Sequence, residues 1–228
     1  MKISIHSMYW DNANPDIVNS HKQVYEHFNI PVNYSVGQYN HGEWMTHIMR
    51  NTTQDIVVFC DIDCVPIQRN ILTEGLEYVT KVDGFIGPAQ ASNHYSAPIN
   101  KHIFASPAFF IITKSAYLRM GSPSFASVEG RSDVAQEVSR LADTMNDVTY
   151  RCWYPTKYNG NIRTANPKGY DELGNYGRYG ICTVYDNDRL LHLYEGRLST
   201  NAALFKDVCN KIISGNFSSQ DYNSCTTF

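Results

Sequence analysis

The chain has 228 residues, 43% of them hydrophobic and 18% charged, with a net charge of −3. These values fit one α/β domain with a sizeable core, at most with an appended subdomain, and exclude a disordered or fibrous chain. The acidic balance supplies no global basic field for nucleic acid or anionic membrane, although a local basic patch stays open.

The first third alternates strands and helices. "KISIHSMY" (2–9) opens with β-branched residues in alternation and predicts a strand. "NPDIVNSHKQVYEHFN" (14–29) predicts a helix, with Asn14 as N-cap, Pro15 at the first position and Asp16 in the first turn. "PVNYSVG" (31–37) is a short strand, and "GEWMTHIMRNT" (42–52) a short helix with Trp44, Met45, Ile48 and Met49 on its apolar side. "DIVVFCDID" (55–63) then has the near-continuous apolar run of a strand in the middle of a parallel sheet. Such β-α-β-α-β order implies a doubly wound layer fold with right-handed crossovers.

The remainder is more mixed. "ILTEGLEYVTK" (71–81) predicts a helix, "VDGFIGPA" (82–89) contains a strand, and "SPAFFIITKSAYLRMG" (106–121) runs from strand into a short helix ended by Gly121. "SDVAQEVSRLADTMND" (132–147) predicts a helix with Ser132 as N-cap and Asp133 in its first turn. Residues 150–180 read as a long loop with five Gly, six Tyr, one Trp and five Lys or Arg against two acids. Basic and aromatic interleaving of this kind suits a sugar-stacking lid, and would carry the contact if an acceptor were nucleic acid. "CTVYDNDRLLHLYEGR" (182–197) predicts strand, turn and strand, "TNAALFKDVCNKIISG" (200–215) a helix, and the last residues a frayed tail.

The six cysteines (60, 64, 152, 182, 209 and 225) contain no C-x-x-C pair and no zinc-finger spacing, which favours free thiols in a reducing compartment. On one strand, Cys60 and Cys64 would lie roughly 13 Å apart, beyond disulfide reach. "MKISIHSMYWDN" lacks the pattern of a signal peptide, and the runs "DIVVFC" and "FFII" are too short to span a bilayer. A cytoplasmic protein without a transmembrane segment is expected.

The segment "DIVVFCDIDCVPI" (55–67) drives Asp61 and Asp63 against one of the most apolar stretches of the chain. A buried carboxylate without a partner costs several kcal/mol or more, so this pattern asks for a counter-ion or a metal. D-x-D alone carries little weight: Asp186 and Asp188 match it too, but Asn187 between them marks a solvated turn. Asp61 and Asp63 differ because they end a predicted central strand, where open α/β sheets bind ligands. Spacing i, i+2 puts both on one face of that strand, making a hard-oxygen site suited to Mg²⁺ or Mn²⁺ with substrate phosphates. A salt-bridged strand end is the bland alternative.

With an α/β first half ending in "VVFCDIDCVPI", the chain resembles the GT-A glycosyltransferases, which use a nucleotide-sugar donor. "SPAFFIITKSAYLRMG" is similar to that family's strand–helix segment between donor and acceptor sites. "EGRSDVAQEVSRLA" resembles the place where an acidic residue stands at a helix start, and "LLHLYEGR" the late strand whose His completes the metal site. The resemblance implies a single Rossmann-like layered α/β domain with a mostly parallel central sheet, helices on both faces and a small C-terminal β/α portion. It implies a nucleotide-binding half over 1–66 and an acceptor half over 67–228, with 150–180 a mobile loop.

Glycosyl transfer would then assign roles. Asp61, Asp63 and His192 would hold Mn²⁺ or Mg²⁺, which acts as Lewis acid on the donor diphosphate, with Asp61 also beside the donor. Arg197 could meet a phosphate. Asp133 is the leading base for the acceptor hydroxyl, with Glu129 and Glu137 in reserve; the family's tight Glu-Asp pair is missing, since Glu129 and Asp133 stand four apart. Tyr9 or Trp10 could stack on the nucleotide base, and backbone N–H groups at His41 and Gly42 could face donor sugar or phosphate. A UDP-sugar is the favoured donor and a GDP-sugar is open; the acceptor is a carbohydrate or another hydroxyl. The alternatives are a non-catalytic nucleotide- or sugar-binding module, a plain structural domain, or a sugar nucleotidyltransferase. The last is disfavoured because "ISIHSMYWDNANP" has no Gly and no basic residue of a phosphate loop.

Overall fold

The structure, a computed structural model, describes residues 1–37, 40–91, 102–129, 131–160, 173, 180–194, 196 and 199–225. The first half follows the expected order: β1 (Ile3–Tyr9), α1 (Pro15–His27), β2 (Asn33–Val36), α2 (His41–Asn51) and β3 (Ile56–Cys60). The caps explain the helix starts. Asn14 accepts from the Asp16 N–H at 2.9 Å, and Asn40 accepts from the N–H groups of Gly42 and Glu43 at 3.0 and 3.4 Å.

Next come β4 (Cys64–Pro66), α3 (Asn70–Val82), β5 (Phe85–Ala91), β6 (Ile103–Ala105), β7 (Phe109–Thr113), α4 (Lys114–Arg119) and α5 (Gln136–Asp143). The chain continues through β8 (Tyr150–Trp153), β9 (Pro155–Asn159), β10 (Cys182–Tyr185), β11 (Leu190–Leu193), α6 (Ser199–Ile213) and β12 (Asn223–Ser224). Two sheets result. The central one has the order β2-β1-β3-β7-β5-β6, with β8 joined to β5; the second has the order β12-β9-β10-β11-β4.

The central sheet is mixed, which corrects the expected mostly parallel one. β1 pairs in parallel with β2 and β3, and β5 with β8, whereas β7 runs antiparallel to both β3 and β5, and β6 antiparallel to β5. The reason is that β3 and β7 are buried along their whole length. An apolar run reports burial on two faces and is blind to the direction of the neighbour. Helices do cover both faces. Ile56, Val58 and Cys60 enter a core shared with α1, α3, α6 and the second sheet, while Val57 and Phe59 enter another shared with α2, α4 and α5. Each such side chain stabilises the fold by about 1.5–3 kcal/mol on burial.

Three further expectations change. The helix predicted from Ser132 begins only at Gln136, because Ala135 adopts a left-handed φ of 65°. Ser132 instead bridges Val128, with its N–H donating to the Val128 carbonyl at 2.9 Å, and the Gln136 side chain accepts the Asp133 N–H at 2.9 Å. The tail is not frayed up to Cys225: β12 pairs with β9, and the Cys225 N–H reaches the Thr156 carbonyl at 2.9 Å. The predicted loop over 150–180 begins as two strands, β8 and β9; most of its remainder lies outside the described residues. The six cysteines are free thiols, and among the described residues no helix is long and apolar enough to cross a membrane.

Candidate metal centre

β1 has β2 on one side and β3 on the other, so the strand order reverses there, and the carboxyl ends of β1 and β3 are where open α/β sheets bind ligands. β3 stops at Cys60, earlier than expected. Asp61, Ile62 and Asp63 form a turn, closed by the Cys64 N–H on the Asp61 carbonyl at 3.0 Å, that hands the chain from the central sheet to β4 in the second. The carboxylates therefore share a turn, not one face of a strand. The Asp61 N–H donates to the Ala108 carbonyl at 2.9 Å, and the Leu193 N–H to the Asp63 carbonyl at 2.9 Å, so both sheets hold the turn.

His192 reaches the same point from β11, where it lies opposite Cys64 of β4. Ligand atoms of Asp61, Asp63 and His192 all fall within 4.8 Å of one another, with His192 Nε2 at 3.6 Å from Asp63 Oδ1. Packing fixes the His192 ring: it is 6% exposed, and its centroid is 4.1 Å from that of Tyr194, whose hydroxyl meets that of Tyr185 at 2.7 Å. Two carboxylates and one imidazole form a donor set that fits Mn²⁺ better than Mg²⁺, which favours oxygen ligands alone. Electrostatics point the same way. Burial raises the pKa of Asp61, and the charges of Asp63 and Asp133 add to the rise, against the opposing pull of His41 and His192. A cation at this point would relieve that repulsion.

Other predicted residues take these places. Asp133 sits in the turn before α5, where its Oδ2 accepts from Gln90 Nε2 at 3.5 Å, and its charge reaches Asp61. Glu129 is exposed and outside the metal group, and Glu137 is held by Arg131 and Arg140 at 3.0 and 2.8 Å. Tyr9 ends β1, with its ring edge-on to Tyr34 at 6.4 Å and Lys22 Nζ 5.3 Å from its centroid. Trp10 follows it, 37% exposed. The Gly42 N–H is not free for a ligand, because Asn40 caps it. The His41 side chain instead places Nε2 at 3.2 Å from Asp61 Oδ1. Arg197 lies outside the described residues.

Two supports escaped the sequence reading. Gly196 packs against Asp63 so closely that a Cβ there would stand 2.7 Å from Oδ2. In addition, β5 pairs Ile86 with Ile111 and Ala89 with Ala105, so the partner strand advances six residues for three and residues 106–108 bulge out, ending in the carbonyl that Asp61 uses. A lone Gly after a strand and the run "SPA" carry no signal for either.

Among solved structures, the chain has matches to GT-A glycosyltransferases and nucleotidyltransferases at low sequence identity. One is the mannosyltransferase PcManGT from Pyrobaculum calidifontis in complex with GDP-Man and Mn²⁺: 11% identity, TM-score 0.47, covering 66% of this chain and 54% of that one. Another is S. aureus TarS in complex with UDP-GlcNAc: 15% identity, TM-score 0.41, covering 66% and 56%. A third is the bifunctional IspDF from Campylobacter jejuni: 11% identity, TM-score 0.41, covering 67% and 50%. The chain thus spans about half the length of these structures. No family model and no curated protein matches it.

Proposed function

We propose that the chain is a metal-dependent glycosyltransferase that moves a sugar from a nucleotide-diphosphate donor to a hydroxyl acceptor. The observation that carries this reading is the convergence of Asp61, Asp63 and His192, from the turn after β3 and from β11 of the second sheet, at the carboxyl end of the strand beside β1. When bound, Mn²⁺ at these residues would supply Lewis-acid neutralisation of the leaving diphosphate. The chain's own groups do the rest. Tyr9 and Trp10 flank the nucleotide base at the end of β1, residues 1–66 bind the donor, and 67–228 receive the acceptor, a carbohydrate or another hydroxyl. Asp133 takes the proton from the acceptor hydroxyl: it stands in the turn before α5, and its charge lies within the electrostatic reach of Asp61.

The test is calorimetric titration of UDP and GDP, with and without Mn²⁺, into wild type and Asp63→Ala, followed by a nucleotide-sugar panel that includes UDP-GlcNAc and GDP-mannose. The expected result is Mn²⁺-dependent binding of one nucleotide, lost in Asp63→Ala. If neither nucleotide binds while Asp63→Ala stays folded and equally stable, the transferase reading is wrong.

A further inference from the structure

The Asp61 carboxylate belongs to a turn, so no ladder fixes its direction, and the like charge of Asp63 two residues away opposes a shared site without a cation. Among the described residues, His41 supplies the one basic side chain within ion-pair distance of it, with Nε2 at 3.2 Å from Oδ1 and both side chains a fifth to a quarter exposed. At that separation an imidazole with a proton on Nε2 attracts the oxygen electrostatically, and an ionised carboxylate can only accept.

The first turn of α2 delivers His41 rigidly. Asn40 caps it through the Gly42 and Glu43 N–H groups. Gly42 lies flat on the backbone of the neighbouring loop, where a Cβ would come within 2.4 Å of Ala126 Cα. Thr46 Oγ1 donates to the Gly42 carbonyl at 2.7 Å and accepts the Phe125 N–H at 2.9 Å, which ties the same turn to that loop a second time. The His41 ring stacks on Trp44 at 5.8 Å, and Trp44 meets edge-on Phe59, the β3 residue two before Asp61, at 5.4 Å. Helix, loop and strand therefore fix where Nε2 stands relative to Asp61.

We infer that His41 is a positioning residue that holds Asp61 in the orientation in which it, Asp63 and His192 can share one divalent cation. The inference rests on the metal-centre reading above and adds to it a residue outside the ligand set. Partners of this kind orient a ligand and raise its usefulness to the metal, and their loss weakens metal binding by about 10–100-fold.

Two substitutions separate the N–H from the packing. His41→Phe keeps a ring against Trp44 and removes the donor; His41→Gln keeps an N–H near the Nε2 position and removes the ring. Mn²⁺ affinity is read without nucleotide, from the electron paramagnetic resonance of free Mn²⁺, beside metal-free melting curves. The expected result is that His41→Phe binds Mn²⁺ at least tenfold more weakly than wild type while His41→Gln stays within about threefold, at similar metal-free melting temperatures. Wild-type affinity in His41→Phe, or equal losses in both variants, would overturn the positioning role and leave the metal centre standing. A wild type that binds no Mn²⁺ would remove the metal centre, and this inference with it.

Discussion

At the scale of single residues, the most informative position is one without a side chain. A Cβ on Gly196 would stand 2.7 Å from Asp63 Oδ2 and 2.9 Å from its Cβ. Alanine there would push the Asp63 carboxylate out of the group it shares with Asp61 and His192, while leaving the buried core beneath untouched. Gly196→Ala is expected to weaken Mn²⁺ binding at least tenfold at a metal-free melting temperature near that of wild type, as read by titration and calorimetry. Unchanged affinity would mean that Asp63 can move aside at no cost. The contrast with the ligands shows what a sequence discloses at this scale. Asp61 and Asp63 stand out because charge beside an apolar run is unusual, and His192 because an imidazole interrupts "LLHL". Gly196 and the 106–108 bulge act through shape, which leaves no chemical mark. His41 was legible as a residue at a helix start, whereas the approach of its side chain to Asp61 was not, because it depends on how α2 docks beside β3. The control pair does stand in a turn, as read, but its carboxylates are not merely solvated: Asp186 pairs with Arg189 at 2.5 Å and Asp188 accepts from the Ser219 hydroxyl.

Elements are legible where local chemistry decides them. Asn14-Pro15 and Asn40 start α1 and α2 because their side chains accept the orphan N–H groups of the first turn. They fail where partners decide: period-2 alternation runs on through Asp61 and Asp63, yet β3 ends because the chain must leave for another sheet, and Ser132 looks like a cap but stands four residues before a helix that the left-handed Ala135 delays. The packing of α1 on β2 carries a pH dependence. His21 is fully buried, with its ring stacked on Tyr25 at 4.3 Å and Nδ1 at 3.0 Å from the Tyr34 hydroxyl. Burial first, and then the neighbouring Lys22 charge, push its pKa down to about 3 from 6.5. Between those values the unfolded chain binds a proton that the native fold refuses, so stability rises with pH across the window and falls on acidification. His21→Phe keeps the stacking and removes the titration. The variant is expected to lose less stability than wild type between pH 6.5 and pH 4.5, measured by urea denaturation at each pH, even if it is weaker at pH 7 through the lost Tyr34 contact. Parallel losses in the two proteins would show that other groups carry the acid sensitivity.

For the whole molecule, the candidate centre matters because it lies where two sheets meet. Asp61 follows β3 of the central sheet, Asp63 leads into β4, and His192 comes from β11, which pairs with β4 from more than 120 residues further along the chain. Neither the antiparallel return of β7 nor the pairing of β4 with β11 is written locally: both depend on segments far apart that recognise one another only by burial, and β4 joins the first 66 residues to a strand of the later half. A cation shared by Asp61, Asp63 and His192 would therefore clamp the central sheet to the second one, and would bind the folded state alone, because no preformed group of ligands exists in the unfolded chain. Mass action then sets the gain. At Mn²⁺ a hundredfold above its dissociation constant the stabilisation is about 2.7 kcal/mol. For a chain of 150–250 residues each kcal/mol moves the melting temperature by roughly 2–4 °C, so the shift should reach roughly 5–10 °C. Scanning calorimetry of wild type across a Mn²⁺ series should show a melting temperature that climbs with the logarithm of concentration above the dissociation constant. In Asp63→Ala, which lacks the carboxylate between the two sheets, the same series should leave the melting temperature flat. A rise of equal size in both proteins would place the ion elsewhere on the fold, and no rise in either would mean that the three side chains meet without holding one.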